Sequence, residues 1–264
     1  MNLSVLKFTL ESNVAIVSIN NPPINALSLQ FLNEFDAVLD HLGSYDAQAV
    51  DRPRALLLTS EIEGFFSTGD DLAELKDLDD ELIAQLPRVH AQMDAIEALP
   101  IPTVASINGH ALGGGLELAL CCDFRFMAED SGVVGLPEIR LGMIPAFGGS
   151  QRLLQLVGKT KATEMMIKGL QIAPQEAKAL GIINEVYAAD ELYAKSLDYA
   201  QRLALQATGA IDCIKQCIRA GLAGGSREGL AKELEVFKVN ITREDAREGV
   251  DAFLGGRKPE FKGY

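Results

Sequence analysis

The stretch that decides the fold is Asn108-Gly109-His110-Ala111-Leu112-Gly113-Gly114-Gly115-Leu116-Glu117. An apolar, strand-like run precedes it, and an apolar helical pattern follows its three consecutive glycines, with Glu117 one turn inside that helix. The first turn of a helix presents backbone N–H groups without intrahelical acceptors, at the positive end of the helix dipole. Such a turn can hold developing negative charge, and here a carboxylate lies beside it.

The glycine pattern does not fit two common phosphate-binding loops. Its spacing is not G-x-G-x-x-G, and no acidic residue closes a strand about 20 residues later, as a dinucleotide-binding unit requires. Leu116 and Glu117 stand where the loop G-x-x-x-x-G-K-[ST] needs Lys and Ser or Thr. On this segment alone, two interpretations stay open: a turn that stabilises charge, or a tight strand-to-helix turn used for close packing.

Two further segments bear on that choice. The glycine-bearing turn Phe66-Ser67-Thr68-Gly69-Asp70-Asp71-Leu72 follows another buried strand. Two such turns can supply two converging backbone N–H donors, the pair that a polarised thioester oxygen needs in an oxyanion hole. Glu138 lies in a constrained loop next to Pro137. Taken alone, Glu138 is either a solvated loop charge or a second working carboxylate.

Composition narrows the class of partner. The chain has 264 residues, 48% of them hydrophobic, and a formal net charge of −13. This charge argues against nucleic acid or an anionic membrane as the main partner, but not against an anionic small ligand. No run of apolar residues approaches the roughly 18 to 20 of a membrane helix, and the N-terminus does not have the pattern of a signal peptide. The four cysteines lack zinc or disulfide-framework spacing, so we expect buried thiols in a cytoplasmic protein.

The order of elements predicts an α/β fold. Strands and helices alternate over roughly the first 150 residues, and helical patterns fill roughly the last 110, which suggests stacked ββα units followed by a helical tail. Ser28 is predicted to cap a helix that runs to about Leu42, and a helical pattern is predicted from the loop after Leu72 to about Leu99. The last long helices are predicted at about 191–206, 210–222, 227–240 and 243–254.

Taken together, these segments resemble the enoyl-CoA hydratase/isomerase (crotonase) family, closest to the enoyl-CoA hydratases, over nearly the full chain. The likeness extends to the segments Asn20–Leu27, Leu136–Pro145, Gly148–Leu153, Ala173–Val186 and Glu248–Leu254. The resemblance implies a crotonase-like spiral of stacked ββα units holding the active site in residues 1–200. It also implies a helical C-terminal region, 201–264, that covers the site and builds a homotrimer or homohexamer.

The resemblance further implies an oxyanion hole and a pair of catalytic carboxylates. The backbone N–H groups of Asp70 and Gly114 would hold the enolate of a CoA thioester, and Glu117 and Glu138 would add water across its 2,3 double bond. An acidic side chain at Asp70 is expected to point away from the thioester oxygen. Substrate binding is expected along the segment that includes Asp70, Asp71, Leu72 and Ala73, together with Gly114.

The expected partner is an acyl-CoA substrate, with no cofactor beyond its CoA, no metal, no nucleic acid and no membrane. Possible CoA phosphate contacts are Arg257, Lys258 and Lys262, although these residues also fit a solvated basic tail. His90 and His110 are expected to be structural or surface residues. Phe147 either shapes the acyl pocket or packs in the core.

Related reactions on the same oxyanion hole remain as alternatives. Dienoyl-CoA isomerases use an extra Asp in the loop after the second carboxylate, and here Met143–Gly148 contains none. Simple enoyl-CoA isomerases commonly lack one of the two carboxylates, and dehalogenases need an Asp nucleophile near position 138. Hydratase activity in acyl-CoA degradation is therefore expected. A double-bond isomerase, a C–C lyase and a non-catalytic acyl-CoA-binding protein stay open as alternatives.

Overall fold

The computed structural model describes residues 1–46, 48–74 and 80–264, and for residues 80–82 only the backbone. The helical pattern predicted after Leu72 runs through residues 75–79, and that part of it lies outside the described residues. Elsewhere strands alternate with helices up to about residue 190, and helices follow. The predicted α/β class is therefore confirmed.

A six-stranded sheet forms the centre of the molecule. Its strands, in spatial order, are β1 (Leu6–Glu11), β2 (Val14–Ile19), β4 (Ala55–Ser60), β7 (Thr103–Ile107), β9 (Phe124–Ala128) and β12 (Glu185–Tyr187). The β1–β2 pair is antiparallel and the other pairs are parallel. Strand β2 is buried along its whole length, which explains why five of its six residues are apolar, because parallel strands inside a domain are covered on both faces.

A second, smaller sheet lies beside the first. It contains β11 (Gln171–Ile172), β10 (Val134–Gly135), β8 (Gly109–Leu112) and β5 (Gly64–Ser67), and a separate pair joins β3 (Ala26–Leu27) to β6 (Gly69–Asp70). In each of the pairs β4–β5, β7–β8 and β9–β10, the first strand joins the large sheet and the second joins the small one. The chain therefore winds as a spiral between the two sheets, as the stacked ββα units predicted.

Six short strands were not expected from the sequence. Strand β8 lies inside the stretch that was interpreted as a glycine turn, β5 and β6 lie in the loop and glycine-bearing turn after β4, β3 lies just before Ser28, and β11 and β12 lie in a region expected to be helical. Each is two to four residues long. Segments this short show no hydrophobic period of their own, and they become strands only because a neighbouring strand pairs with them.

The helices follow the predicted pattern closely. Ser28 caps the first of them, where its Oγ accepts the N–H of Phe31 at 3.3 Å. The described helices are α1 (Leu29–Gly43), α2 (Asp80–Ala98), α3 (Gly114–Leu120), α4 (Gly149–Lys168), α5 (Pro174–Ala179), α6 (Leu192–Ala204), α7 (Thr208–Gly224), α8 (Ser226–Asn240) and α9 (Glu244–Leu254). The predicted boundary between residues 200 and 201 falls inside α6 and stays a prediction. None of the described helices is long and apolar enough to cross a membrane.

The large sheet separates two apolar cores. The larger core packs α1, α2 and α3 against one face, and the smaller one packs α6 against the other. Helix α3 is buried at all seven positions, so it is a fixed support for the residues it carries. Cys121, Cys122 and Cys213 are buried, Cys217 is half-buried, and all four are free thiols, as expected.

A substitution at Gly109 tests the close approach of strands β5 and β8. A Cβ at this position would lie 1.9 Å from the carbonyl carbon of Gly64, an overlap with backbone that no rotamer change can relieve. We expect Gly109→Ala to lower the free energy of unfolding by about 1–3 kcal/mol or more, as overpacking does. The matched control is Gly43→Ala at the end of α1, where nothing lies within 4 Å of the added methyl group. Urea denaturation of both variants measures the difference, and equal stabilities would contradict the prediction.

Candidate active site

The two glycine-bearing turns meet at the start of α3. A Cβ on Gly69 would lie 2.7 Å from the backbone nitrogen of Gly114 and 2.9 Å from the carbonyl oxygen of Leu112. Only glycine allows this approach, and Gly69 also has a φ of 87°. The peptide that joins Gly69 to Asp70 therefore lies next to the first residue of α3. Because the N–H of a first helical residue has no intrahelical acceptor, Gly114 is a donor at this junction.

Glu117 is held in place inside the protein. Its side chain projects from α3, and the residue is 1% exposed. Its Oε1 accepts two backbone N–H groups, from Phe147 at 2.8 Å and from Gly149 at 2.6 Å. Two such charge-assisted bonds fix the orientation of a carboxylate. Gly149 is required here, because a Cβ at that position would lie 2.6 Å from Cγ of Glu117.

The loop that holds Glu117 is itself anchored from the opposite side. Arg152 donates from Nη1 to the carbonyl oxygen of Phe147 at 2.8 Å, and His90 donates from Nε2 to that of Ala146 at 2.6 Å. The guanidinium of Arg152 also pairs with Glu97 at 2.9 Å and with Asp94 at 3.1 Å. Arg152 therefore connects α2 to the loop whose N–H groups bind Glu117.

Glu138 faces the same region from a different segment. It begins a short 3-10 turn, Glu138–Leu141. Both of its carboxylate oxygens are buried, and neither has a hydrogen-bond partner among the described residues. A Cβ on Gly113 would lie 3.3 Å from Oε1 of Glu138, so this carboxylate packs against the three-glycine turn. The structure thus brings Glu138 to the junction that also holds Asp70, Gly114 and Glu117.

The carboxyl groups of the site are difficult to ionise. Burial raises the pKa of Glu117 to about 7, although the N–H groups of Gly149 and Phe147 act in the opposite direction; the negative charges of Glu138 and Asp70 add to the rise. Burial also raises the pKa of Glu138 to about 7, again with a contribution from Asp70. Burial raises the pKa of Asp70 to about 6. Groups with pKa values near neutrality are suited to giving and taking protons.

A cavity of about 170 Å³ reaches this junction at Asp70 and Glu138, whereas Gly114 and Glu117 are not among the residues that line it. Asp70 and Glu138 lie on its wall, and Asp71 and Glu74 also line it. Its remaining walls are aliphatic or aromatic apart from Gln85, and they come from α1, α2, β3 and the loop after the 3-10 turn: Leu27, Leu29, Leu32, Ile83, Leu86, Val89, Met143, Ile144, Ala146 and Phe147. Phe147 is both a wall residue and 5% exposed, so its two expected roles are compatible.

Other predicted site residues lie away from this cavity. Leu72 and Ala73 are exposed and are not part of its wall, although Oδ1 of Asp71 accepts the N–H of Ala73 at 2.9 Å. In the C-terminal tail, Arg257 pairs with Glu248 and Lys262 pairs with Glu244.

The three basic tail residues, Arg257, Lys258 and Lys262, are exposed, and none of them lines the cavity within the single chain. Their contact with CoA phosphate stays a prediction. The two histidines have structural contacts, as expected: His90 binds the loop described above, and Nδ1 of His110 accepts the N–H of Val133 at 3.3 Å.

Three contributors to the site were missed in the sequence. They are the N–H groups of Phe147 and Gly149, and the side chain of Arg152. The adjacent Gly148-Gly149 pair was the available signal, because consecutive glycines before a helix permit close backbone approach. Across residues 1–46, 48–74 and 80–264, no group of three or more His, Cys, Asp or Glu side chains could hold a metal ion. The absence of a metal from the reaction stays a prediction.

Comparison with known proteins places the chain in a family. The profile of a family described as Enoyl-CoA hydratase/isomerase matches residues 9–264. A Bacillus subtilis (strain 168) protein named "Probable enoyl-CoA hydratase" is 37% identical, over 99% of this chain and 100% of its own. The 2,3-dehydroadipyl-CoA hydratase of Escherichia coli (strain K12) is 34% identical, over 99% and 100%. A crystal structure of enoyl-CoA hydratase from Bacillus anthracis matches with a TM-score of 0.91 and 33% identity, over 99% and 100%.

The raised pKa of Glu138 predicts a pH-dependent cost in stability. This carboxyl has a pKa of about 7 when folded, against an ordinary value of 4.5. Between these values the folded protein binds more protons than the unfolded chain, so the free energy of unfolding falls as pH rises from 4.5 to about 7, and the loss persists above that. We expect Glu138→Gln to have a higher free energy of unfolding than the wild type at pH 8. The difference between the two proteins should be smaller at pH 5, as measured by urea denaturation.

A surface substitution controls for the change in net charge. Glu63→Gln removes one carboxylate from an exposed position outside the site. It should give the same difference from the wild type at both pH values. If Glu138→Gln also differed from the wild type by equal amounts at pH 5 and pH 8, the raised pKa would be wrong.

Proposed function

Because the chain belongs to the enoyl-CoA hydratase/isomerase family, we propose that Glu117 and Glu138 are the catalytic pair of its enoyl-CoA hydratase reaction. The enzyme is a hydro-lyase that adds water reversibly across the 2,3 double bond of an enoyl-CoA thioester. One observation carries the assignment of the pair. Two carboxyl groups from distant segments, each with a pKa of about 7, meet beside the first residue of α3.

The oxyanion hole is proposed at the backbone N–H groups of Asp70 and Gly114. As water adds to Cβ of the substrate, electron density moves to the thioester oxygen and forms an enolate. Two N–H groups directed at that oxygen stabilise this charge without reorganising, and losing one such donor costs on the order of 3 kcal/mol of barrier. The close packing of Gly69 on Gly114 supports the proposal, because it brings both peptides to one place.

The two glutamates account for both protons of the reaction. One carboxylate takes a proton from the water whose oxygen bonds to Cβ, and a carboxyl group of the pair delivers a proton to Cα of the enolate. In balance, one water is added and the pair returns to its starting protonation state. Coupled carboxyl groups share their protons, so the pair is assigned jointly. Glu117 is fixed by two N–H groups, whereas neither Glu138 oxygen has a hydrogen-bond partner among the described residues.

The acyl-CoA is proposed to lie along Asp70, Asp71, Leu72 and Ala73 and to enter the cavity. Arg257, Lys258 and Lys262 are proposed contacts for CoA phosphate. No cofactor beyond the CoA of the substrate is proposed, and a cytoplasmic location stays a prediction.

Assembly as a homotrimer or homohexamer is proposed for the C-terminal helices. Helices α7, α8 and α9 carry many exposed large apolar side chains: Ile214, Ile218, Leu222, Leu230, Leu234, Phe237, Val239, Val250, Phe253 and Leu254. Large exposed apolar surfaces on a soluble fold mark interaction sites, and a second copy of the chain is the partner that such a region fits.

Isosteric substitution of either glutamate tests the catalytic assignment. Glutamine keeps the shape of the side chain and, at position 117, can still accept the N–H groups of Phe147 and Gly149, but it cannot exchange protons. We expect Glu117→Gln and Glu138→Gln each to lower kcat for hydration of crotonyl-CoA by about 10²- to 10⁴-fold. For the wild type, kcat/KM should be highest near pH 7, because one carboxyl of the pair must be protonated while the other is ionised.

Two results would contradict this assignment. One is wild-type turnover in both glutamine variants. The other is migration of the double bond without incorporation of oxygen from labelled water, which would indicate an isomerase. Circular dichroism of each variant shows whether a loss of activity reflects a loss of fold.

Arg152 is proposed as a positioning residue that acts through the loop at 146–149. Removing it should loosen the two N–H groups that hold Glu117, and because those groups lower the pKa of Glu117, that pKa should rise. We expect Arg152→Gln to reduce kcat up to about 100-fold with a smaller change in KM, and to move the pH optimum upward. The control is Arg202→Gln in α6, where the arginine pairs with Asp198 on the surface. An unchanged pH optimum would contradict the proposed role.

A further inference from the structure

The charge of the cavity wall distinguishes it from an ordinary apolar pocket. Four carboxyl groups line the cavity, those of Asp70 and Glu138 beside the reacting centre and those of Asp71 and Glu74 elsewhere on its wall. Among the residues that the structure describes, no lysine, arginine or histidine lines it. Residues 75–79, outside the described ranges, add one lysine and two aspartates to the sequence.

We infer that this cavity selects enoyl-CoA substrates with an uncharged aliphatic acyl chain and rejects those whose chain ends in a carboxylate. The inference rests on the proposed function, because it takes the cavity as the place of the acyl chain. It goes beyond the proposed function because it names the substrate class and attributes that selectivity to the charge of four residues in the cavity wall.

The apolar part of the wall favours a hydrocarbon chain. Ten of the lining residues are aliphatic or aromatic, including Leu32, Val89 and Met143. A hydrocarbon chain that leaves water for such a surface gains free energy in proportion to the apolar area buried. A terminal carboxylate would lose its hydration there and needs a cationic or N–H partner in compensation.

The acidic part of the wall adds repulsion to that loss of hydration. Oε2 of Glu74 accepts the N–H of Leu29 at 2.9 Å, and Oδ1 of Asp71 accepts the N–H of Ala73, so backbone amides hold both side chains at the wall. No ion pair joins Asp70, Asp71, Glu74 or Glu138 to a described cation. A substrate carboxylate in this cavity would therefore meet several like charges; Asp70 and Glu138 are half-buried and Glu74 is exposed, so the repulsion from Asp70 and Glu138 is the less screened by water.

Asp70 is the residue on which this discrimination depends most. It lines the cavity beside Glu138, and its charge acts on both glutamates of the site. With a pKa of about 6 it is ionised at pH 7.5. Its backbone serves the proposed oxyanion hole, so its side chain is free to set specificity. Asn at this position has nearly the same shape without the charge.

The experiment compares two acyl chains that have the same number of carbons. trans-2-Hexenoyl-CoA ends in a methyl group, and 2,3-dehydroadipyl-CoA ends in a carboxylate. We expect wild-type kcat/KM at pH 7.5 to favour hexenoyl-CoA by at least about tenfold, as like-charge contacts at a binding site do. Asp70→Asn should narrow this ratio at least about threefold. Because the ratio is taken within one variant, any change in the shared catalytic step cancels.

A surface variant provides the control. Asp190→Asn also removes one negative charge, from an exposed position outside the site, and should leave the ratio unchanged. A wild-type ratio near one, or one that favours the carboxylated substrate, would overturn the inference and leave the hydratase function standing. If Asp70→Asn left the ratio of the two kcat/KM values unchanged, the attribution of this selectivity to charge would be overturned.

Binding of saturated analogues separates this inference from the proposed function. If neither substrate were hydrated, the proposed function would fail, and calorimetric binding of hexanoyl-CoA against adipoyl-CoA would still test the cavity. At least about tenfold tighter binding of hexanoyl-CoA supports the inference. Equal binding overturns it.

Discussion

The carboxylate of Glu117, held by the N–H groups of Phe147 and Gly149, is the interaction on which the rest of the site depends. Burying a carboxyl group without hydrogen-bond partners costs free energy of folding, and these two hydrogen bonds offset part of that cost for Glu117. They also tie α3, which carries the proposed oxyanion donor, to the loop that walls the cavity. The loop is held in turn by Arg152 and His90, so a chain of polar contacts runs from the exposed side of α2 to Glu117.

Glycine provides the space in which these groups meet. Gly69 lets one turn lie against the start of α3, Gly113 leaves room for Glu138, and Gly149 leaves room for Glu117. A methyl group at any of the three would lie within about 3.3 Å of the neighbouring backbone or carboxylate. Glycine is therefore required where these segments of the site touch. The three carboxyl groups of the site have raised pKa values because little water reaches them.

Much of this molecule was predictable from local patterns. The buried strands β2, β4 and β7 appear as mainly apolar runs in the sequence, and α1 begins directly after its cap at Ser28. Both signals lie within a few residues of the chain. Six short strands were missed because their pairing partners lie elsewhere in the chain: β3, β5, β6, β8, β11 and β12. The resemblance to a known family indicated the proposed site residues, and the segment patterns alone left Glu138 undecided between a solvated charge and a catalytic one.

The sequence by itself determined the α/β class, the acidic character, the two glycine turns and the candidate carboxylates, since these depend on residue chemistry and short-range spacing. Only the tertiary structure decided that Phe147 and Gly149 hold Glu117, although they lie 30 and 32 positions away. It also decided that Asp70 and Glu138 share one cavity wall with aliphatic residues from α1 and α2. Hydrogen bonds, burial and pKa values depend on distances in space, and those distances are set only when the spiral closes its segments around one site.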